Sequence, residues 1–354
     1  MLSKYLIDSD ATLIQALEKI NALSGGAMTL FAIEKDGRVA GTLTDGDIRR
    51  AILAGKQLHS TVAEACKRDF RHINTGDADP ALLRKFRNDN IRLIPVLDTC
   101  GRLCNVIDLV NFRTVLPLRA ILMAGGKGER LRPATLTTPK PLLEIEGKAI
   151  IDYNIEALAA CGITDITVCT RYLAEQIEEH FASPVAGVNV KCVREDIPLG
   201  TIGAVTLTGV ANLPGDTLVM NSDLLTTISF EEMFITHRKR NAAATIAAVP
   251  YQVSVPYAIL TTSGDNSEHV SAIEEKPSYS YYANAGIYIF RNEILSRIPK
   301  DTRYDATDLI QNLIDNGLPV TYYPIKGTWI DVGSPVDFRQ AGELMRHHNA
   351  LANS

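Results

Sequence analysis

A glycine-rich segment near the middle of the chain has the composition of a phosphate-binding loop. The apolar run Ala120–Met123 leads into Gly125-Gly126-Lys127-Gly128, and such a run predicts a buried strand. Glycines let the backbone turn sharply, so that its N–H groups can face phosphate oxygens. Nearby cations can supply compensating charge: Lys127, Arg130, Arg132 and Lys140. The segment is therefore predicted to hold a polyphosphate.

Two common phosphate-loop patterns do not fit this segment. A P-loop needs Gly-Lys-Ser or Gly-Lys-Thr, which the chain lacks, and a Rossmann fingerprint needs a third glycine where Leu131 stands. The stretch Gly125 to Pro141 instead resembles the sugar-1-phosphate nucleotidyltransferase signature, G-G-x-G-[TS]-R-L-x-P-x-T-x-x-x-P-K-P, with Glu129 as the departure. The resemblance implies catalytic roles for Arg130 and Lys140. It also implies nucleotide contacts from the loop residues Ala124, Gly125, Gly126 and Gly128.

Two acidic residues, far apart in the chain, sit where metal ligands are expected. Asp223 follows the apolar run Thr217–Asn221, and Asp331 lies within Trp-Ile-Asp-Val-Gly. Mg²⁺ takes hard oxygen ligands, commonly one or two carboxylates together with phosphates and waters. A lone aspartate at a strand end is often only a turn cap. In the resembled family, however, both matching positions bind the metal, which implies Mg²⁺ as cofactor and a catalytic role for Asp223.

Three further segments resemble the family's substrate-binding motifs. The E-K-P match implies that Glu275 binds sugar hydroxyls and that Lys276 pairs with the sugar phosphate, and the N-A-G-x-Y match places Asn284 on the sugar. The P-L-G-T form at 198–201, with Gly200, is commoner in mannose-1-phosphate guanylyltransferase-like enzymes and favours GTP. Donor–acceptor chemistry suggests that Glu195 accepts from guanine N1–H and N2–H₂.

The elements that must position these residues alternate between strand and helix from residue 118 onward. This order predicts a mostly parallel α/β sheet, Rossmann-like, with helices on both faces and ligands beyond the carboxyl ends of the strands. Strands are predicted at Arg119–Met123, Asp165–Cys169, Val188–Val193 and Thr217–Asn221. Helices are predicted at Ile151–Ala160, Leu173–Phe181, Ile202–Val210, Phe230–Arg240 and from Pro335 to about His348.

The first 115 residues carry a different pattern, which recurs after about sixty residues. The first copy has a helix at Ala11–Leu23, strands at Met28–Ile33 and Val39–Leu43, and a helix capped by Thr44 or Asp45. The second copy has a helix at Asp79–Phe86, strands at Leu93–Leu97 and Leu103–Ile107, and a helix from Asp108 onward. We therefore predict two domains: a small α/β repeat over 1–115 and a catalytic domain over 117–354.

The repeat resembles a tandem CBS-domain pair, and Gly41–Leu53 is its most specific part. In that family the Thr and Asp of G-x-x-T-x-x-D bind an adenine nucleotide, which implies a regulatory nucleotide at Thr44 and Asp47. The second copy lacks the threonine, so at most one competent site is expected. The alternative is that Thr44 only caps a helix and that the pair serves dimerisation.

Composition limits the binding partners and cellular compartments that are compatible with this chain. The net charge of −5 argues against nonspecific nucleic-acid binding, and no apolar stretch is long enough to cross a bilayer. Six cysteines without a CxxC pair predict reduced core thiols in a cytoplasmic protein. We expect a homo-oligomer whose partners are small molecules.

Together the resemblances imply transfer of a nucleoside monophosphate from an NTP to a sugar-1-phosphate, with release of pyrophosphate. The combination with a CBS pair resembles the guanylyltransferases of legionaminate pathways, which make GDP-glucosamine, and so favours GTP and glucosamine-1-phosphate. Mannose-1-phosphate and glucose-1-phosphate, the latter with another NTP, are the alternative acceptors. A non-catalytic, nucleotide-sensing regulatory subunit is the alternative of another class.

Overall fold

The structure is a computed structural model that describes residues 2–23, 27–75, 79–109, 114–264 and 268–352. The chain divides into two compact units, Met1–Pro117 with Ala159–Ile163, and Leu118–Leu158 with Thr164–Ser354. Within the described ranges, no helix has both the length and the apolar character needed to cross a membrane.

The N-terminal unit contains two three-stranded sheets with the same pairing. Their strands are Leu6–Asp8 (β1), Thr29–Ile33 (β2), Val39–Thr44 (β3), Ile73–Asn74 (β4), Leu93–Leu97 (β5) and Leu103–Asp108 (β6). In each sheet the first pair is parallel and the second is antiparallel. Both antiparallel pairs carry a register shift, between Ala32 and Ile33 and between Val96 and Leu97. This shared topology agrees with the predicted internal repeat.

Among the described residues of this unit there are three α-helices: Leu13–Ala22 (α1), Asp45–Leu53 (α2) and Pro80–Asn88 (α3). Threonine side chains cap α1 and α2, and the α2 cap is Thr44, as predicted. The predicted helix from Asp108 is wrong at its first residue, because Asp108 still pairs with Leu93 at the end of β6. Its continuation over 110–113 lies outside the described residues.

The larger unit holds thirteen further strands and six further helices among the described residues. The strands are Leu118–Ala124 (β7), Glu144–Ile145 (β8), Lys148–Ala149 (β9), Ile166–Thr170 (β10), Lys191–Arg194 (β11), Asp216–Asn221 (β12), Leu224–Thr226 (β13), Ala244–Ser254 (β14), Ile259–Thr262 (β15), Val270–Glu274 (β16), Ser278–Arg291 (β17), Val320–Pro324 (β18) and Trp329–Asp331 (β19). The helices are Ile150–Ala160 (α4), Ala174–His180 (α5), Phe230–Lys239 (α6), Asn292–Leu295 (α7), Ala306–Asp315 (α8) and Pro335–Ala352 (α9).

A seven-stranded sheet forms the centre of this unit, in the order β11-β10-β7-β12-β17-β14-β18. All neighbouring pairs are parallel except the two that involve β17. The central strands β7 and β12 are almost entirely buried, which explains their continuous apolar sequences, because strands buried on both faces lose the alternation of half-exposed ones. The predicted mostly parallel α/β sheet is confirmed.

Two predicted elements of this unit differ from the structure. The helix predicted over Ile202–Val210 is instead a pair of 3₁₀ helices, Gly203–Thr208 and Val210–Asn212. Thr206 and Thr208 donate their hydroxyls to carbonyls three residues back, which competes with α-helical bonding, and Gly209 adopts φ +69° between the two. The strand predicted over Val188–Val193 starts only at Lys191, because Val188 pairs with Val185 in a turn.

The six cysteines, all among the described residues, form no disulfide with one another, and they are not all core thiols. Cys161 and Cys169 are buried, whereas Cys100 and Cys104 are exposed. These two lie in the turn between β5 and β6 and on β6, where the hairpin faces solvent.

Candidate active site

The glycine loop follows β7 directly and lines a cavity of about 600 Å³. Nine residues predicted for nucleotide binding or catalysis line this one cavity: Ala124, Gly125, Gly126, Gly128, Arg130, Lys140, Glu195, Gly200 and Asp223. The cavity lies beyond the carboxyl ends of β7 and β12, which is where ligands bind in sheets of this type. The structure therefore brings together the segments that the sequence predicts to hold the nucleotide.

Gly128 shapes the loop that carries the cations. It adopts φ +61°, and a Cβ at this position would lie 3.0 Å from Thr135 Cγ2 and 3.1 Å from Lys140 Cβ. The buried Thr135 donates its hydroxyl to the Gly128 carbonyl at 2.8 Å. The glycine is thus needed for a left-handed turn that folds Lys140 back onto the loop.

Both predicted metal ligands contact the Lys140 ammonium. Lys140 donates to Asp223 Oδ2 and also contacts Asp331 Oδ1 at 3.5 Å. A short antiparallel ladder places both acids, because Leu224 pairs with Asp331 and the Val332 N–H donates to the Asp223 carbonyl at 3.1 Å. Two half-buried acids that lie far apart in the sequence thereby share the buried ammonium of Lys140.

The other predicted catalytic cation, Arg130, extends from the loop towards the same acids. Its guanidinium lies 3.9 Å from Asp331 Oδ2. It also packs on Gly333, where a Cβ would come within 2.7 Å of Nη2. By contrast, Lys127 is exposed and Arg132 pairs with Glu129 at 3.3 Å; neither lines the cavity. Of the four cations near the glycine loop, the structure directs only Arg130 and Lys140 into the site.

Glu195 is buried against the start of the glycine loop. A Cβ on Gly125 would lie 2.6 Å from Glu195 Oε1, while Oε2 accepts the Leu199 N–H at 3.2 Å. Burial raises the pKa of the Glu195 carboxyl, against the lowering effects of the Leu199 N–H and the Arg171 charge. A partly satisfied carboxylate of this kind can accept hydrogen bonds from a ligand in the cavity.

Gly200 lines the cavity and also lets another segment pack closely against it. Its φ is +81°, and a Cβ would meet the Tyr304 carbonyl oxygen at 2.6 Å and Asp305 Oδ1 at 2.8 Å. The Thr201 N–H donates to Asp305 Oδ1 at 2.9 Å, and the Ala306 N–H donates to Thr201 Oγ1 at 2.8 Å. The close backbone approach at Gly200 is thus made by the segment that begins α8, which completes one wall of the cavity.

Several cavity residues were missed by the sequence analysis, among them Arg171, Asn221, Arg303 and Asp305. Arg171 and Asn221 lie at the carboxyl ends of β10 and β12, so the strand-end rule that found Asp223 could have found them. Arg303 and Asp305 belong to a loop without any motif, and only tertiary contact with 198–203 brings them to the site.

The three predicted sugar-binding residues lie outside this cavity. Glu275 and Lys276 are exposed in the turn between β16 and β17. Asn284 lines a separate cavity of about 380 Å³ between β14, β17, β18 and α8; its side chain accepts the Gly286 N–H at 3.0 Å and donates to the Tyr288 hydroxyl at 2.9 Å. Their assignment to the sugar stays a prediction.

Comparison with known families agrees with this geometry. Residues 119–347, well over half of the chain, match the family model described as nucleotidyl transferase. The chain belongs to the nucleotidyl transferase family. Residues 1–54 match the CBS domain model, so the first repeat copy is a CBS domain, and the second copy stays a prediction.

Curated relatives of this nucleotidyl transferase carry related names. A mannose-1-phosphate guanyltransferase of Neurospora crassa is 31% identical over 227 residues, and a mannose-1-phosphate guanylyltransferase catalytic subunit beta of Dictyostelium discoideum is 30% identical over 227. Each alignment covers 62% of this chain and 62% of the relative, so the match spans about three fifths of the relatives' length. A UDP-glucose pyrophosphorylase structure from Acinetobacter baumanii shares the fold, with TM-score 0.51 and 23% identity over 64% of this chain and 92% of that one.

The acid pair of the nucleotidyl transferase fits a divalent cation in its donor chemistry. Two carboxylates already converge on one positive charge at Lys140, and Mg²⁺ commonly takes one or two protein carboxylates. Among the described residues, no cluster of three or more His, Cys, Asp or Glu side chains could hold a metal alone. Substrate phosphates and water would complete the coordination of a cation held by Asp223 and Asp331.

The predicted nucleotide residues of the CBS domain are engaged with each other. Asp47 Oδ2 accepts from both the Thr44 N–H at 2.9 Å and the Thr44 hydroxyl at 2.6 Å, while Oδ1 accepts from Arg50 at 2.6 Å. Burial alone would raise the pKa of Asp47, but these hydrogen bonds and the Arg50 charge lower it. The pair acts as a capping box at the start of α2.

Proposed function

We propose that this protein transfers a nucleoside monophosphate from GTP to a sugar-1-phosphate and releases pyrophosphate. The observation that carries the proposal is the meeting of Asp223 and Asp331 at the Lys140 ammonium, with Lys140 and Asp223 lining the cavity that the glycine loop also lines. Membership of the nucleotidyl transferase family and the names of the guanyltransferase relatives support it.

The residues of the site suit an in-line displacement. A sugar-phosphate oxygen attacks the α-phosphorus, the bond from that phosphorus to the oxygen bridging to the β-phosphate breaks, and pyrophosphate leaves. No protein nucleophile is required, so positioning and charge stabilisation carry the rate. Lys140 would hold the phosphates, and Arg130 would stabilise the charge of the departing pyrophosphate. A bound Mg²⁺ supplies Lewis-acid stabilisation of phosphoryl oxygens.

Two observations favour different acceptors. The relatives' names favour mannose-1-phosphate, whereas the order of CBS domain and transferase favours glucosamine-1-phosphate, as in the family that the sequence resembles. On either acceptor, Glu275, Lys276 and Asn284 are proposed to hold the sugar phosphate.

The proposal can be tested by an assay of pyrophosphate release. Each of GTP, ATP, CTP, UTP and dTTP is combined with mannose-, glucose- or glucosamine-1-phosphate. GTP with one of these acceptors is expected to give the highest kcat/KM. A clear preference for UTP or dTTP would reject the guanylyl assignment. Absence of release with every pair, by protein that binds GTP in calorimetry, would favour the non-catalytic regulatory subunit.

A further inference from the structure

Three adjacent parallel strands end in register beside the cavity. Ala124 of β7 pairs with Thr170 of β10, and Thr170 also pairs with Arg194 of β11. The next residue of each strand is Gly125, Arg171 and Glu195 respectively. A row of three residues therefore lies along one edge of the sheet, and all three line the cavity.

The two charged members of this row lie close together over the glycine. An added Cβ on Gly125 would touch Glu195 Oε1 at 2.6 Å and Arg171 Cβ at 3.4 Å. The Glu195 N–H donates to the Thr170 carbonyl at 2.8 Å, which holds the two strand ends together. The row thus brings the Glu195 carboxylate and the base of the Arg171 side chain together at Gly125 on the cavity wall, with the Arg171 charge near enough to act on Glu195.

Arg171 is the uncommitted member of the pair. It is half-buried, and among the described residues no hydrogen bond or ion pair engages its guanidinium. The other arginines of the cavity differ in this respect, because Arg130 pairs with Asp331 and Arg303 pairs with Asp305 at 3.5 Å. Arg171 therefore has donors available for a ligand.

An adjacent carboxylate and guanidinium complement one nucleobase edge better than the others. Guanine presents its O6 acceptor next to N1–H and N2–H₂ donors, whereas adenine and cytosine present an amino donor where guanine has O6. Uracil and thymine share the carbonyl and one N–H but lack the second donor. We infer that Arg171 is a specificity-determining residue that donates to guanine O6 while Glu195 accepts from N1–H and N2–H₂. This inference rests on the proposed use of GTP.

Substituting Arg171 and varying the base together tests the inference. The probes are GTP, ATP and ITP, which keeps O6 and N1–H but lacks the 2-amino group. Arg171→Met is expected to lower kcat/KM for GTP and ITP alike by about ten- to a hundredfold, with ATP little changed. Glu195→Gln is expected instead to reduce the preference for GTP over ITP. Dissociation constants from calorimetry should follow the same pattern, which separates base recognition from chemistry.

Two further variants exclude an effect of charge or folding. Arg171→Gln keeps a donor without the charge and should retain part of the GTP preference. Arg303→Met removes another cavity arginine and should affect GTP, ITP and ATP equally. If Arg171→Met lowers kcat/KM equally for GTP and ATP, or lowers neither, so that the ratio of the two kcat/KM values is unchanged, the inference is overturned. Loss of the preference in Arg303→Met instead of Arg171→Met would also overturn it.

The outcomes distinguish this inference from the proposed function. If the wild-type protein prefers GTP and Arg171→Met keeps that preference, only the inference fails. If GTP binds in an Arg171-dependent manner but no acceptor yields pyrophosphate, the proposed function fails and the inference stands.

Discussion

Two motifs predicted to bind nucleotides differ in how their polar atoms are used. In the CBS domain, both carboxylate oxygens of Asp47 accept hydrogen bonds from nearby residues, one from Thr44 at the start of α2 and the other from Arg50 within α2. In the cavity of the nucleotidyl transferase, Glu195 has one oxygen held by Leu199 and the other against the bare Cα of Gly125. The sequence motifs do not reveal this difference, but the hydrogen bonds of Asp47 and Glu195 do.

The same contrast is visible in the electrostatics of the two carboxyl groups. Hydrogen bonds and Arg50 hold the pKa of Asp47 below its usual value despite burial, whereas burial raises the pKa of Glu195. A carboxylate that is poorly stabilised by its own chain gains more from a ligand, which is why perturbed groups in clefts are candidates for function. The comparison therefore ranks Glu195 above Asp47 as a nucleotide contact.

The largest effect is expected where the cavity charges are densest. Asp223→Asn removes the carboxylate that holds Lys140 and should lower kcat by about 10²–10³-fold at limiting Mg²⁺, since it weakens charge stabilisation of the reacting phosphates. Asp315→Asn, an exposed acid near the end of α8, is the matched control and should be neutral. Near-normal turnover of a folded Asp223→Asn protein would remove this residue from the site.

A smaller effect is expected from misplacing a cation without removing it. An alanine methyl at Gly333 would displace the Arg130 guanidinium, which lies 2.7 Å from that position. Gly333→Ala should lower kcat by about tenfold, and Arg130→Ala by more, because catalysis here depends on placement of charge. Gly342→Ala, whose methyl would meet nothing nearer than 4.0 Å, should leave kcat unchanged. Equal activity of both alanine variants would show that the position of Arg130 is unimportant.

The parts of the site that follow strand ends or short motifs could be predicted from the sequence. The glycine loop, Lys140 and the two acids were predicted in this way, and the β13–β19 ladder brings the acids together. Arg303 could not be predicted, because contacts between segments a hundred residues apart place it. The identity of the backbone that approaches Gly200 could not be predicted either, since local sequence does not reveal which segment will pack on a glycine.

Removing the buried charge at Glu195 should stabilise the ligand-free protein. Folding raises the pKa of the Glu195 carboxyl above its ordinary value of 4.5. The protein is therefore destabilised progressively as the pH rises above 4.5 and through the folded pKa, because the folded state must then hold an ionised, buried carboxylate. The Arg171 charge partly offsets this destabilisation. The neighbouring Cys169 thiol stays neutral, because burial, and to a smaller extent Glu195, raise its pKa to about 12. Glu195→Gln should raise Tm by about 1–3 °C at pH 7 and not at pH 4, while weakening GTP binding.

The opposite pH dependence of this difference would contradict the account of Glu195. A Tm gain that is largest at pH 4 would mean that the ionised carboxylate stabilises the fold. Melting curves of the two proteins between pH 4 and pH 8, without nucleotide, decide the matter.

The smallest effect is expected in the CBS domain, where two capping boxes offer a matched pair. Thr12 caps α1 with Gln15, and Thr44 caps α2 with Asp47. Thr12→Ala and Thr44→Ala should therefore each cost about 1 kcal/mol of stability in the 354-residue chain. Both carboxylate oxygens of Asp47 already accept internal hydrogen bonds. Any shift of Tm by AMP is therefore expected to be the same in the wild-type, Thr12→Ala and Thr44→Ala proteins. AMP-induced stabilisation that Thr44→Ala alone abolishes would show that the motif binds nucleotide, and would mean that a ligand can displace Arg50 and the capping bonds. The two sites would then differ in nucleotide affinity and not in the ability to bind. A ligand at Asp47 must first displace the internal partners of both carboxylate oxygens, whereas only one oxygen of Glu195 has such a partner.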